Sequence, residues 1–537
     1  MSTTTRCKTL LILLASATLC AAAPAHAQPR DNAPAGAEAA QDAPRFDILE
    51  YQVEGNTVLP ALAVEKAVYP HLGEGKTVAD VERARQALER AYHSAGYLTV
   101  LVDIPEQKVD AGIVRLSVIE GRVERVRVSG NRYYARGYIR SKVPSLAQGE
   151  VPYFPQVQAE MATLNRSADK QVTPVLRPGT TPGTVEVELK VQDELPLHGG
   201  LELNNRQSPS TEPLRLQGFL RYDNLWQREH SASVQYQVAP QDTSQVRALS
   251  GTYVLPAPGS DNVIALYGVR SKSDVATIGD LNVLGNATIF GGRYIVPLAP
   301  REGVSQSLTL GIDYKDFGES VKLQGADDVN TPIAYTPMLL QYSVTQIGRK
   351  GQTQANIDAN FAVRSALLGN TDAEFENKRF KAQANYFYLR GDLQRDQLLA
   401  KGFRLIARAD GQWSSQPLVS NEQFAAGGVD SVRGYLEAEQ FGDDGLRGSL
   451  ELRTPAFANG TVDELLALGF VEGARLWVLD ALPQQQSTFS LSSAGVGLRL
   501  RAYRHLNASL DVGWPFQSAQ ETRSGEPRVH FKVAYEF

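Results

Sequence analysis

From residue 195 to the C terminus, apolar and polar positions alternate along one stretch after another. Residues 232–238 place Ala232, Val234, Tyr236 and Val238 opposite Ser233, Gln235 and Gln237. Residues 380–388, 494–501 and 529–537 repeat the pattern, the last ending on Phe537. A period of two predicts a strand whose faces meet different surroundings. About sixteen such strands fit residues 195–537, many near ten residues long, the length that crosses a bilayer as part of a β-barrel. A soluble sandwich would also alternate, burying one face against a second sheet, but strand length favours the barrel.

Residues 46–194 follow a different rhythm. Ile48, Leu49 and Val53 lead into Gly55-Asn56, then a helical stretch at 59–69. Thr77 stands as the N-cap of a second helix with Val78, Val81, Ala84, Leu88, Ala91 and Ala95 on one face, and Gly96 supplies its stop. Two β-rich runs, 97–104 and 112–119, complete a β-α-α-β-β order. Val53-Glu54-Gly55-Asn56 returns as Val128-Ser129-Gly130-Asn131, an internal repeat of 75 positions. In the second copy a helix is predicted near 156–167, with strands at 172–176 and 185–191.

Residues 1–27 read as an export signal: Arg6 and Lys8 precede an apolar run at 10–14, and Ala25-His26-Ala27 forms a cleavage site before Gln28. A lipoprotein signal at Cys20 is disfavoured, because Leu19 stands where a small residue is needed. Cys7 and Cys20 are the two cysteines of the chain, so the expected mature protein has none and no disulfide, zinc-thiolate site or thiol nucleophile. Residues 28–45 are expected to be a short linker.

The formal charge of -5 supplies no cationic surface for phosphates, so nucleic acid is not an expected partner. The histidines at 71, 93, 198, 230, 505 and 530 show no metal-ligand spacing and read as surface or lumen residues. Gly75-Lys76-Thr77 resembles the end of a phosphate-binding loop, but Pro70 replaces the first glycine and a helix cap explains the same residues. With no G-x-S-x-G elbow either, neither an enzyme nor a cofactor is expected. Lumen-facing positions are expected at Arg404, Arg408, Glu451, Arg453, Arg499 and Arg501, making a polar pore.

Two small repeat modules followed by a barrel resemble the outer-membrane transporters of two-partner secretion, the hemolysin and filamentous hemagglutinin secretion family, within the POTRA-plus-barrel superfamily. The resemblance implies POTRA domains at 46–121 and 122–194 and a sixteen-stranded barrel at 195–537. It also implies an inward-folded loop around 416–445 carrying a Val-Arg-Gly-Tyr motif, here Val432, Arg433, Gly434 and Tyr435. It further implies a carboxylate partner for Arg433 on a neighbouring strand. Where the family carries Asp in Phe-x-Asp, this chain has Phe470-Val471-Glu472-Gly473, so Glu472 is expected in that role. With only about eighteen residues between Ala27 and Phe46, a helical plug reaching the lumen is not expected.

The implied function is a Gram-negative outer-membrane pore. Its periplasmic POTRA domains recognise a large secreted partner, an adhesin or hemolysin, and pass it outward unfolded. Client-binding candidates are Val187, Leu189 and Val191 on the last module strand. Phe537 is the expected barrel-insertion signal, read by the barrel assembly machinery, and outer-membrane lipid is the remaining partner. The rival readings are an assembly factor of the same superfamily and a passive diffusion channel.

Overall fold

The structure, a computed structural model, describes residues 44–109, 111–273, 275–278, 281–284, 286–299, 301–318, 320–321, 329–330, 332–363 and 370–537. The expected export signal, both cysteines and nearly all of the expected linker and plug region lie outside the described residues. The chain divides into two compact units, one ending at Gly121 and the other Arg122–Phe537.

In the first unit, strand Ile113–Glu120 lies between Glu50–Glu54, parallel to it, and Val100–Asp103, antiparallel. Helix Val78–Ser94 turns Val81, Ala84, Leu88 and Tyr92 inward. Thr77 caps it, its backbone N–H and hydroxyl both donating to Asp80 Oδ2, at 2.9 and 2.8 Å. The second unit opens with the same plan. Strand Thr184–Asp193 is central, parallel to Arg122–Ser129 and antiparallel to Lys170–Pro178, with helices Arg136–Ser141 and Phe154–Leu164. The short helix Arg136–Ser141 carries too few turns to leave a periodic signal in the sequence.

The Val-x-Gly-Asn repeat has one physical cause in both modules. Gly55 and Gly130 have φ of +87° and +83° where the first strand turns, and a Cβ there would sit 2.3 Å from Val118 O or 2.4 Å from Val191 O. Only glycine combines that backbone with that approach. The following asparagine then caps the turn, Asn56 Nδ2 donating to Leu59 O at 3.0 Å and Asn131 Nδ2 to Tyr134 O at 2.9 Å.

Among the described residues, sixteen long antiparallel strands close a barrel. They are β1 (Leu197–Asn204), β2 (Arg215–Leu225), β3 (His230–Val238), β4 (Val246–Pro256), β5 (Val263–Ser273), β6 (Ala287–Pro297), β7 (Val304–Phe317), β8 (Met338–Gly348), β9 (Gly351–Ala362), β10 (Tyr386–Leu398), β11 (Arg404–Ser414), β12 (Asp444–Arg453), β13 (Val462–Trp477), β14 (Thr488–Ala502), β15 (Leu506–Pro515) and β16 (Arg528–Glu536). Closure is antiparallel between β16 and β1, from Lys532 opposite Asn204 to Glu536 opposite Gly200. Phe537 extends the seam, exchanging backbone bonds with Gly199 at 2.9 and 3.1 Å.

The outer face is apolar: Leu201, Leu220, Leu249, Leu266, Leu450, Val471, Leu498 and Val533 are all exposed. Exposed Trp413 and Trp514 lie near one rim, and Trp226, Tyr503 and Phe537 near the other. An apolar band between aromatic girdles is what a bilayer demands of a barrel surface. The rim holding both barrel ends carries the second POTRA domain, so it faces the periplasm. There the β2–β3 turn grips that domain. Gln227 Oε1 accepts from Ala135 N at 2.7 Å, and Glu229 meets Lys142 and Lys170, each at 3.1 Å.

Two expectations need correction. Strand β10 begins at Tyr386, not at 380; Ala382 and Ala384 lie in an extracellular cluster with Phe375, Tyr386 and Tyr388, so their alternation reflects packing of a loop. Val187, Leu189 and Val191 are buried core of a central strand already paired on both sides. The edge strands of that sheet are Arg122–Ser129, where Val123 bonds Gly149 and Glu150 through its backbone, and Lys170–Pro178, where the Asn165 side chain bonds the Val172 backbone.

Candidate functional site

Strands β11 and β12 are joined by a long extracellular segment that turns back into the lumen. Its stem is a small ladder, Phe424–Ala426 against Gln440–Gly442. Buried carboxylates hold the stem to the barrel. Glu422 accepts from Lys315 and Tyr335, both at 2.6 Å, and from Tyr388 at 2.8 Å. Asp443 accepts from Arg379 at 2.6 Å, Leu479 N at 2.7 Å and Leu418 N at 2.8 Å. Further along, Glu439 receives the backbone N–H of Leu436 and, from the β15–β16 loop, the hydroxyl of Thr522 at 2.6 Å. Arg206, just past β1, pairs with Asp430 and with Glu437.

At the tip, Val432 and Tyr435 are fully buried with Phe424, Ala474, Leu476 and Leu491. The Tyr435 hydroxyl donates toward Gln517 O at 2.9 Å, and the Gly434 N–H donates to His530 Nε2 at 2.9 Å. Gly434 has φ +98°, and a Cβ on facing Gly513 would fall 2.7 Å from Gly434 N. Loop and wall thus touch backbone to backbone.

Between these anchors lies Arg433, 3% exposed at its side chain. Its Nε and Nη2 both donate to Glu472 Oε1, at 3.0 and 2.6 Å, and its backbone N–H donates to Oε2 at 2.7 Å. The longer reach of Glu relative to Asp lets one carboxylate hold both the guanidinium and the loop backbone. Nη1 meets Glu451 Oε2 at 2.9 Å and Asp511 Oδ1 at 3.3 Å. Each added acid brings its own arginine: Arg453 lies 2.7 Å from Glu451 and Arg499 2.9 Å from Asp511. Three guanidiniums therefore balance three carboxylates, which is how buried charge is tolerated.

The sequence placed Glu451, Arg453 and Arg499 in the lumen without revealing that they share a network with Arg433. Asp511, His530 and the ring of Phe470 were not singled out as contacts of the motif. Alternation gives each residue its face; only strand register and barrel stagger bring four strands to one level. Below the tip, a cavity of about 450 Å³ is lined by Arg408, Glu451, Arg453, Arg499 and Arg501, with Arg206 at its edge. Arg404 instead pairs with Asp396 at 3.0 Å.

Comparison with known proteins agrees with this architecture. The ShlB-type POTRA domain family matches residues 46–121, and the haemolysin secretion/activation protein family ShlB/FhaC/HecB matches residues 334–500. The outer membrane transporter CdiB of Dickeya dadantii is 22% identical over 94% of this chain and 89% of its own length. The heme/hemopexin transporter protein HuxB of Haemophilus influenzae is 18% identical over 80% of this chain and 76% of its own. Among solved structures, CdiB from Escherichia coli is 19% identical, covering 94% of this chain and 93% of its own, with a TM-score of 0.61. A BamA from Haemophilus ducreyi lacking POTRA domains 1–3 is 14% identical, covering 92% and 100%, with a TM-score of 0.55, a likeness of fold. By these likenesses the chain is similar to the two-partner secretion outer-membrane transporters, with the ShlB/FhaC/HecB haemolysin secretion/activation model matching residues 334–500.

Proposed function

We propose that this protein is the dedicated pore for one large secreted partner, held closed at rest by the inward loop. The observation that carries this reading is the Arg433 network: a loop tip bonded to β12, β13, β15 and β16 occupies the lumen and is held there by non-covalent bonds. CdiB, by its name an outer membrane transporter, supports transport across that membrane, and HuxB, by its name a heme/hemopexin transporter protein, supports a protein-bound cargo. The chain that passes is unfolded, and its folding outside biases the direction, since a folded domain cannot slip back.

POTRA domains are assigned to 46–121 and 122–194 and the barrel to 195–537. Recognition uses the part of a sheet edge beyond Val123. Beside Arg122–Ser129 lies a groove lined by Val126, Arg127 and Arg140 over the buried Val143, Leu146 and Leu189. An extended client can add a strand there, main-chain bonds supplying affinity and the groove selectivity. The client is an adhesin or hemolysin; Phe537 is the signal read by the barrel assembly machinery before the apolar band meets lipid.

The test compares the proteins of the medium and the outer membrane with and without this chain. Loss of one large protein from the medium or surface, with other barrels steady, is expected. A joint fall of many barrels would make it an assembly factor instead.

A further inference from the structure

At the periplasmic mouth of the barrel, three side chains from three segments converge. His198 Nε2 lies 3.0 Å from Asp169 Oδ1 and 3.6 Å from Asp223 Oδ2, and the three donor atoms all fall within 4.8 Å of one another. We propose that Asp169, His198 and Asp223 form a divalent-cation site, of the kind that takes zinc, that fastens the second POTRA domain to the barrel.

The local chain explains why these donors meet. His198 on β1 stands opposite Arg221 on β2. The two-residue period puts Asp223 on the same lumen-facing side as Arg221, diagonal to His198. Asp169 belongs to the POTRA domain, directly before strand Lys170–Pro178. Backbone bonds draw all three to one short stretch: Glu194 N donates to Asp169 O at 2.8 Å, and Asp223 N donates to Pro196 O at 2.8 Å. The donors are thus fixed from both sides of the joint before any ion arrives, which lowers the ordering cost of binding.

The chemistry suits a borderline cation. Imidazole nitrogen and carboxylate oxygen are both zinc donors, and one of the former with two of the latter leaves a fourth position for water. Bonds of about 2.0–2.2 Å at tetrahedral angles put donors roughly 3.3–3.6 Å apart, so the observed separations need only small side-chain movements. Second contacts orient both acids: Ser167 Oγ lies 3.1 Å from Asp169 Oδ2, and Arg221 Nε 3.0 Å from Asp223 Oδ2. Asp169 is buried, and His198 and Asp223 are partly exposed, giving an entry path.

The experiment uses the full chain, purified in detergent without a histidine tag and stripped with a chelator, then titrated with zinc against a chromophoric competitor. One equivalent bound at micromolar or tighter affinity is expected, weakened at least tenfold by H198A and by D169N. Heat-modifiable gel migration shows whether each variant barrel is folded. Zinc should also slow proteolysis at residues 194–197 in the parent and not in H198A. Absence of zinc binding, or equal affinity in a folded H198A, would overturn the proposal and leave a metal-free histidine bridging two carboxylates.

Discussion

The guanidinium of Arg433 lies 3.6 Å from the centre of the Phe470 ring, while Glu472, two residues further along the same lumen-facing row, holds it through two N–H groups. The ring covers one face of the cation with the negative side of its quadrupole and excludes water from it. Such a contact contributes up to about 2 kcal/mol when desolvated. Glu451 and Asp511 take the guanidinium edge that Glu472 leaves free. Removing one partner of a buried ion pair typically costs about 3–5 kcal/mol. Displacing the loop tip therefore requires a compensating interaction, and an entering client is the natural source.

Arg433→Ala is expected to leave the barrel assembled and reduce export sharply, because three acids then share only Arg453 and Arg499. Exchanging the charges, Arg433→Glu with Glu472→Arg, should not restore export. The new glutamate would face Glu451 and Asp511 as well as its intended partner. Quantifying the secreted partner in the medium for both single variants and the double variant tests this, and full rescue by the double would mean Glu451 and Asp511 are irrelevant.

Phe470→Leu keeps an apolar residue of similar reach and removes the quadrupole. The loop tip should stay in place for a smaller fraction of the time. Planar-bilayer recordings are expected to show more frequent open events, with wild-type single-channel size; an unchanged open probability would assign the ring a packing role only.

Gly513→Ala addresses the loop from the wall. The added methyl would stand 2.7 Å from Gly434 N and 2.8 Å from Arg433 C, both backbone atoms that cannot swing aside. The tip must lift, so a cysteine placed in the loop should become reactive to an impermeant thiol reagent. The three atoms nearest the added methyl all belong to the loop tip and not to the sheet, so barrel migration on gels should not change.

The barrel was legible because a bilayer leaves one repeated demand on every strand, visible from Ala232 to Phe537. The modules were legible through Gly55-Asn56 and Gly130-Asn131, where one backbone requirement recurs. The Arg433 site was half legible: Glu472 was found through a motif, while Asp511 and His530 lie 78 and 97 positions from Arg433, and only strand register brings Asp511 to its guanidinium and His530 to the Gly434 N–H. Alternation misled at Ala382 and Ala384, since an extended loop packed on an aromatic cluster produces the same period as a strand. Val187, Leu189 and Val191 misled for a related reason: a strongly β-prone run marks a sheet's centre as readily as its edge.

The second POTRA domain carries an acid-sensitive turn. Glu124 accepts from the Thr180 backbone N–H at 2.8 Å, from the hydroxyls of Thr180 and Thr184 at 2.5 and 2.8 Å, and from the Thr181 N–H at 3.2 Å. These bonds favour the charged carboxylate and bring it from the usual 4.5 down to about 2. The folded value is the lower one, so the stabilisation is complete above about 4.5 and is lost as pH falls from there toward 2. Hydrogen exchange at residues 179–184 should show protection at pH 6 that declines below pH 4.5, while Glu124→Gln should lower protection at pH 6 and flatten its pH dependence. Because the turn joins the edge strand Lys170–Pro178 to the central strand, its loosening in acid should spread along that edge before reaching Val187 and Leu189. Equal pH profiles for the parent and the variant would show that another carboxylate controls the turn.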